Sequence, residues 1–242
     1  RSKSTNTLTK DFQKKERELY RKYYNLVSKK KQKSLYDLIF LDDLKIIIKE
    51  SKYIALDHVP IDSLDNFPLS YVSALQGETD YRFTDKKSYQ DFLNRFKTIP
   101  EITESILDNM KQGLKVKDTL PRIIVLDLRD QYKSFLEQDL GEIKVPSSRK
   151  KDIIKSIETY INPSVQKLKD FLENEYLCKC TDKIGLNSLS GGSTIYKDLV
   201  EEQTMKGYTP KEIHDLGLRE VTRLMNLINA KKRTMKFKGS LQ

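Results

Sequence analysis

The sequence predicts an all-α fold of about eight or nine helices, and three observations predict it. Breakers are few, with nine Gly and seven Pro in 242 residues, which favours long helices over a many-turned sheet. Apolar residues recur at spacings of three and four, the period of a one-sided helix. Ser, Asp or Thr-Pro stands ahead of several of these runs, where helix starts need capping groups. Hydrophobic residues make up 37% and charged residues 33% of a chain long enough to bury a substantial core.

Residues 1–9 are polar and expected to fray. Helices are predicted over Lys10–Val27, with Phe12, Leu19, Tyr20, Tyr23 and Leu26 inward, and over Ser34–Glu50, with Leu35, Leu38, Ile39, Leu41, Ile46 and Ile47 inward. Lys29–Lys31 is a solvated patch, so residues 1–33 read as an amino-terminal helix with its basic patch and 34–242 as the main helical region. Ser51–Thr79, broken by Pro60 and Pro68, reads as a connector with a short helix at Leu69–Leu75. Thr84-Asp85 starts a helix carrying Tyr89, Phe92, Leu93 and Phe96. Pro100 opens the next, with Ile102, Ile106, Leu107 and Met110, predicted to stop at Gly113.

Pro121 opens a helix with Ile124, Leu128, Tyr132 and Phe135 on one face. Gly141–Ser148 reads as a loop, and Arg149–Ile161 as a helix with Ile153, Ile154, Ile157 and Ile161. Asn162-Pro163 reads as a break before a new helix carrying Val165, Leu168, Leu172 and Tyr176. Asp182–Gly192 is the least regular stretch, and Ser193 is placed as the cap of a helix with Ile195, Tyr196, Leu199 and Val200. The last helix is the best specified: Thr209 at the cap, Pro210 in the first turn and Glu212 completing a capping box, with Ile213, Gly217, Val221, Leu224 and Ile228 on one face and an Asp215–Arg219 pair.

The formal charge of +10 raises the question of an anionic partner. Arginine supplies only 11 of the 45 basic residues, and base and phosphate readout favours its bidentate fork. A basic nucleic-acid binder is therefore kept only as a rival. Cys178 and Cys180 are too close for an ordinary structural disulfide, so reduced thiols and a cytoplasmic setting are expected. No apolar stretch approaches the roughly 20 residues that cross a bilayer, and no membrane is expected as a partner.

Catalytic groups are sparse. A helical zinc site of the His-Glu-x-x-His kind needs two imidazoles one turn apart, whereas His58 and His214 stand far apart along the chain. Each reads as a hydrogen-bonded structural histidine. Cys178, Cys180 and His214 lack finger spacing and a fourth ligand. Gly191-Gly192-Ser193-Thr194 reads as a turn and cap rather than a phosphate cradle, and neither Asp42-Asp43 nor Glu201-Glu202 converges on one face. No catalytic or metal-binding residue is assigned.

Tyr208-Thr209-Pro210-Lys211-Glu212-Ile213-His214-Asp215-Leu216-Gly217-Leu218-Arg219-Glu220-Val221 closely resembles a block of the bacterial domain-of-unknown-function family eight-eighty-five. Leu189-Ser190-Gly191-Gly192 with Tyr196, Phe171-Leu172, Tyr176-Leu177, Asp65-Asn66-Phe67-Pro68-Leu69, Tyr89 to Pro100, Met110-Lys111-Gln112-Gly113 and Pro121 agree with the same family, over about 34–242. The resemblance implies half of a larger helical peptidase-like fold: the amino-terminal portion of a zinc-dependent peptidase acting on short peptides. The zinc and its His-Glu-x-x-His helix would lie in a carboxy-terminal half beyond this chain. That missing half is the expected partner, with a homodimer as an alternative and peptide as the parent's substrate. Thr209, Pro210, Glu212, His214 and Gly217 are then a structural helix-start motif, and a non-enzymatic scaffold is the other rival.

Overall fold

A computed structural model describes residues 6–29, 34–75, 85–143, 147–204, 207–237 and 239. The expected fraying of residues 1–5, the Lys30-Lys31 part of the basic patch, Thr84 and residues 144–146 of the predicted loop lie outside the described residues. Among those described, the chain is helical and without strands. Eleven α-helical segments run in the order α1 (Lys10–Ser28), α2 (Leu35–Glu50), α3 (Ile54–Asp57), α4 (Ser70–Leu75), α5 (Lys86–Phe96), α6 (Ile99–Val116), α7 (Arg122–Glu137), α8 (Ser147–Ser156), α9 (Asn162–Phe171), α10 (Gly192–Thr204) and α11 (Pro210–Thr234). Nine of them have ten residues or more, which is the predicted fold class. The chain divides into two units, Arg1–Gly192 and Ser193–Gln242.

The core of the first unit is built by α5, α6, α7 and the α8–α9 helix. Asp85 caps α5 by accepting from the Ser88 amide, with Ser88 answering to the Asp85 amide. This sets Tyr89, Phe92, Leu93 and Phe96 inward at helical spacing. Ile106, Leu107 and Met110 of α6 and Val125, Leu128, Tyr132 and Phe135 of α7 are buried against them, each large apolar side chain contributing about 1.5–3 kcal/mol. The Tyr132 hydroxyl, inside this core, donates to the Phe67 carbonyl at 2.6 Å and so ties the connector down.

Several boundaries differ from the sequence reading. Helix α6 continues past Gly113 to Val116 and ends with Lys117 in the left-handed region at φ 66°. The connector contains α3, which the sequence did not announce, and α10 starts at Gly192, one residue before the expected cap. Asn162-Pro163 does not break the chain's direction: α8, a wide turn at 157–161, α9, a second wide turn at 172–176 and a tight turn at 177–179 form one continuous helix. Within the first wide turn the Asn162 amide donates five residues back to Ile157, and within the second Leu177 donates to Leu172. A proline ring needs space at the carbonyl four residues earlier, and the wide turn ahead of Pro163 supplies it. Ile153, Ile157, Ile161, Val165, Leu168, Leu172 and Tyr176 all stay buried along this helix.

The amphipathic helices at the two ends do not bury the faces predicted for them. In α1, Leu19, Tyr23 and Leu26 are about half exposed and no residue is fully buried. Among the described residues of α2 only Leu41 and Leu44 are buried, while Leu35 is 71% exposed. The two helices pack on each other, and a two-helix layer covers only one side of each. In the second unit, Val221, Leu224 and Ile228 of α11 are likewise exposed. The Thr209 capping box is formed, with the Glu212 amide donating to Thr209 Oγ1 at 3.2 Å and the Thr209 amide to Glu212 Oε2 at 2.8 Å. Asp215 pairs with Lys211 at 2.6 Å rather than with Arg219, because the lysine reaches it one turn earlier on the same face.

Candidate functional site

The polar centre of the first unit is the segment 118–122, which joins α6 to the first residue of α7. Asp118, Thr119 and Leu120 are buried. The Leu120 amide donates to the buried Tyr176 hydroxyl at 2.9 Å, the Arg122 amide to Thr181 O at 2.8 Å, and the Thr181 amide to Thr119 Oγ1 at 3.2 Å. Arg122 adds Nη1 to Leu177 O and Nε to Asp182. The segment is thus stitched by five hydrogen bonds to the end of the long helix and the residues just after it.

Asp118 projects from this stitched segment and joins two other parts of the chain. One carboxylate oxygen accepts the Ser190 amide at 2.7 Å, and the other lies 3.1 Å from Nδ1 of His58. Burial pushes the Asp118 carboxyl up, but the Ser190 amide and His58 outweigh it and leave the group below its usual range. An ionised carboxylate only accepts hydrogen bonds, so His58 carries its proton on Nδ1 and leaves Nε2 for other partners. Gly113 makes the arrangement possible. A Cβ there would stand 2.4 Å from the Asp118 carbonyl oxygen and 2.8 Å from His58 Cβ.

His58 forms part of a groove of about 630 Å³ between α1, α3 and α6. Its α1 wall is Lys10, Gln13, Lys14, Arg17, Glu18 and Arg21; Asp57 and His58 face them, with Asn109 and Gln112 from α6. Asp57 accepts from Gln13 Nε2 at 3.2 Å and sits 3.9 Å from Arg17. Burial raises its carboxyl above the ordinary range, against the opposing pull of Arg17 and His58.

The two histidines fall in different units. His58 is the hydrogen-bonded residue expected, while His214 is exposed on α11. Cys178 is exposed and Cys180 buried, both as free thiols. Gly191, at φ 70°, turns the chain, and a Cβ on Gly192 would strike the Leu186 carbonyl at 1.7 Å, so this pair forms a tight turn. Among the described residues no three His, Cys, Asp or Glu side chains gather to hold a metal ion, and His58 Nδ1 is committed to Asp118. The described residues therefore do not fit a zinc centre. The His58–Asp118 pair was missed in the sequence, since 60 residues separate its members; the available signal was Gly113, read as a helix stop.

No curated protein matches the chain. A crystal structure described as "the putative lipoprotein from Colwellia psychrerythraea" shares the fold at a TM-score of 0.70 and 15% identity, covering 95% of this chain and 44% of that one. The chain thus spans less than half the length of that solved protein. No described helix is long and apolar enough to cross a membrane. The family model described as "Bacterial protein of unknown function (DUF885)" matches residues 2–242, and the chain belongs to that family.

Proposed function

We propose that this chain is the non-catalytic helical portion of a larger zinc-dependent peptidase acting on short peptides, for which it supplies scaffold and one wall of the substrate cleft. The observation that carries the reading is the coverage: 95% of this chain corresponds to only 44% of a protein with the same fold. The uncovered apolar faces of α1, α2 and α11 favour it as well, since they offer surface for further chain to bury. So does the block at 208–221, whose family likeness led to the peptidase expectation. In this reading the metal and the water it activates are held by groups outside these residues, and His58–Asp118 fixes the floor of a groove without taking part in hydrolysis.

The test is metal analysis and peptide cleavage by the full-length parent, with and without a chelator. Stoichiometric zinc and chelator-sensitive cleavage support the reading. A parent that binds no metal and cleaves no peptide is instead a helical scaffold. The two free thiols make a cytoplasmic setting part of the proposal; recovery of the parent in a detergent-extracted lipid fraction, as the word lipoprotein would predict, counts against that part.

A further inference from the structure

We propose that the groove between α1, α3 and α6 is a binding site for the carboxylates of an acidic peptide. Lys10, Lys14, Arg17 and Arg21 are spaced four, three and four residues apart, so they form one stripe on a single face of α1, and all four line the groove. From Lys10 to Arg21 the stripe makes eleven helical steps, about 16 Å of helix axis. These cations are poorly matched within the chain. Among the described residues Lys10, Lys14 and Arg21 make no ion pair, and the sole ion pair of Arg17 is to Asp57 at 3.9 Å, beyond hydrogen-bond reach. By contrast Lys15, on another face of the same helix, pairs with Asp11 at 2.6 Å.

The opposite wall is polar and positioned. His58, which lines the groove, is held in place through Nδ1 by the buried Asp118. Asp57, the one acid of that wall, is half-buried and shared with Gln13. A carboxylate displacing Asp57 from Arg17 would gain the guanidinium fork that Asp57 does not reach.

The lining also selects against a nucleic-acid strand. Its four cations outnumber its two acids, Glu18 and Asp57, and no Phe, Tyr or Trp is present on which a base could stack. The proposal stands whether or not the parent cleaves peptides.

Fluorescence anisotropy of the 242-residue chain at low salt tests it, with labelled hexaglutamate, hexalysine and oligothymidylate as probes. Saturable binding of hexaglutamate alone is expected. Lys14→Gln and Arg17→Gln should each weaken it about fivefold, Asp57→Asn should tighten it, and Lys133→Gln on α7 should leave it unchanged. Lys14 is exposed, so its substitution leaves the fold intact and keeps the test decisive if Arg17→Gln unfolds. Absence of hexaglutamate binding, equal loss in the Lys133 variant, insensitivity to the groove variants, or tighter binding of oligothymidylate through the same residues would each overturn the site.

Discussion

Replacing Asp118 with alanine is the sharpest perturbation of the first unit. It removes the acceptor for the Ser190 amide at 2.7 Å and for His58 Nδ1 at 3.1 Å, from a side chain only 4% exposed. A hydrogen bond to an ionised group contributes about 1.5–3 kcal/mol. The exposed position of Ser190 and the 14% exposure of His58 let water recover part of the loss, so the expected destabilisation is about 3 kcal/mol. Asp118→Asn keeps one acceptor oxygen for Ser190 and should cost about 1 kcal/mol. Urea unfolding followed by circular dichroism reads both, with the alanine midpoint falling by roughly 1–2 M. The pH dependence has a fixed sign. The folded group lies below its ordinary range, so its contribution is present above the unfolded value of about 4 and fades as pH falls through the folded one. An alanine variant within about 0.5 kcal/mol of the parent chain at neutral pH would refute the claim that Asp118 joins these segments.

The remaining expectations follow from packing and exposure. Gly113→Ala should destabilise by about 1–3 kcal/mol in the same assay, since its Cβ would meet the Asp118 carbonyl oxygen at 2.4 Å. Gly217→Ala should stabilise the chain by about 0.5–1 kcal/mol, because the residue is helical and its Cβ would meet nothing within 4 Å; a loss of stability on thermal unfolding would show that α11 is packed there. Alkylation read by mass spectrometry should label Cys178 rapidly and Cys180 slowly, as burial pushes the Cys180 thiol up to about 11. Equal labelling would mean that the 176–182 segment opens readily.

The helices of the core were legible because their apolar residues and caps agree. Asp85 with Ser88, then Tyr89, Phe92, Leu93 and Phe96, leaves one consistent reading. At Pro163 the sequence predicts a break, whereas the helix of 147–179 continues, for a reason also visible in the sequence. Ile153, Ile157, Ile161 and Val165 are spaced by fours, and in a regular helix each such step drifts about 40° around the axis. Only a wider turn keeps all four on one side, and the turn at 157–161 does so while admitting the proline. The His58–Asp118 contact was not legible because nothing local encodes a pairing across 60 residues.

The same logic explains why α1, α2 and α11 were assigned faces they do not bury. Periodicity states that one side of a helix is apolar, which is a statement about solvent preference and not about which neighbour is present. In α5–α9 the neighbours are supplied by the chain itself, and most of the predicted faces are buried, with Ile102, Ile124 and Ile154 only partly so. In α11, Leu216, Val221, Leu224, Leu227 and Ile228 keep 41–59% exposure along a helix closed at its start by the Thr209–Glu212 capping box. Capping boxes at Ser34 and Thr209 and salt bridges such as Lys211–Asp215 set up such helices locally. Helix formation and face burial are thus separable. Light scattering of the 242-residue chain shows what covers these faces: a monomer that dimerises with concentration would point to a second copy, and Leu224→Glu would then abolish the dimer without lowering the stability of the monomer. A chain that stays monomeric while the same substitution destabilises the full-length parent assigns the face to the rest of that protein.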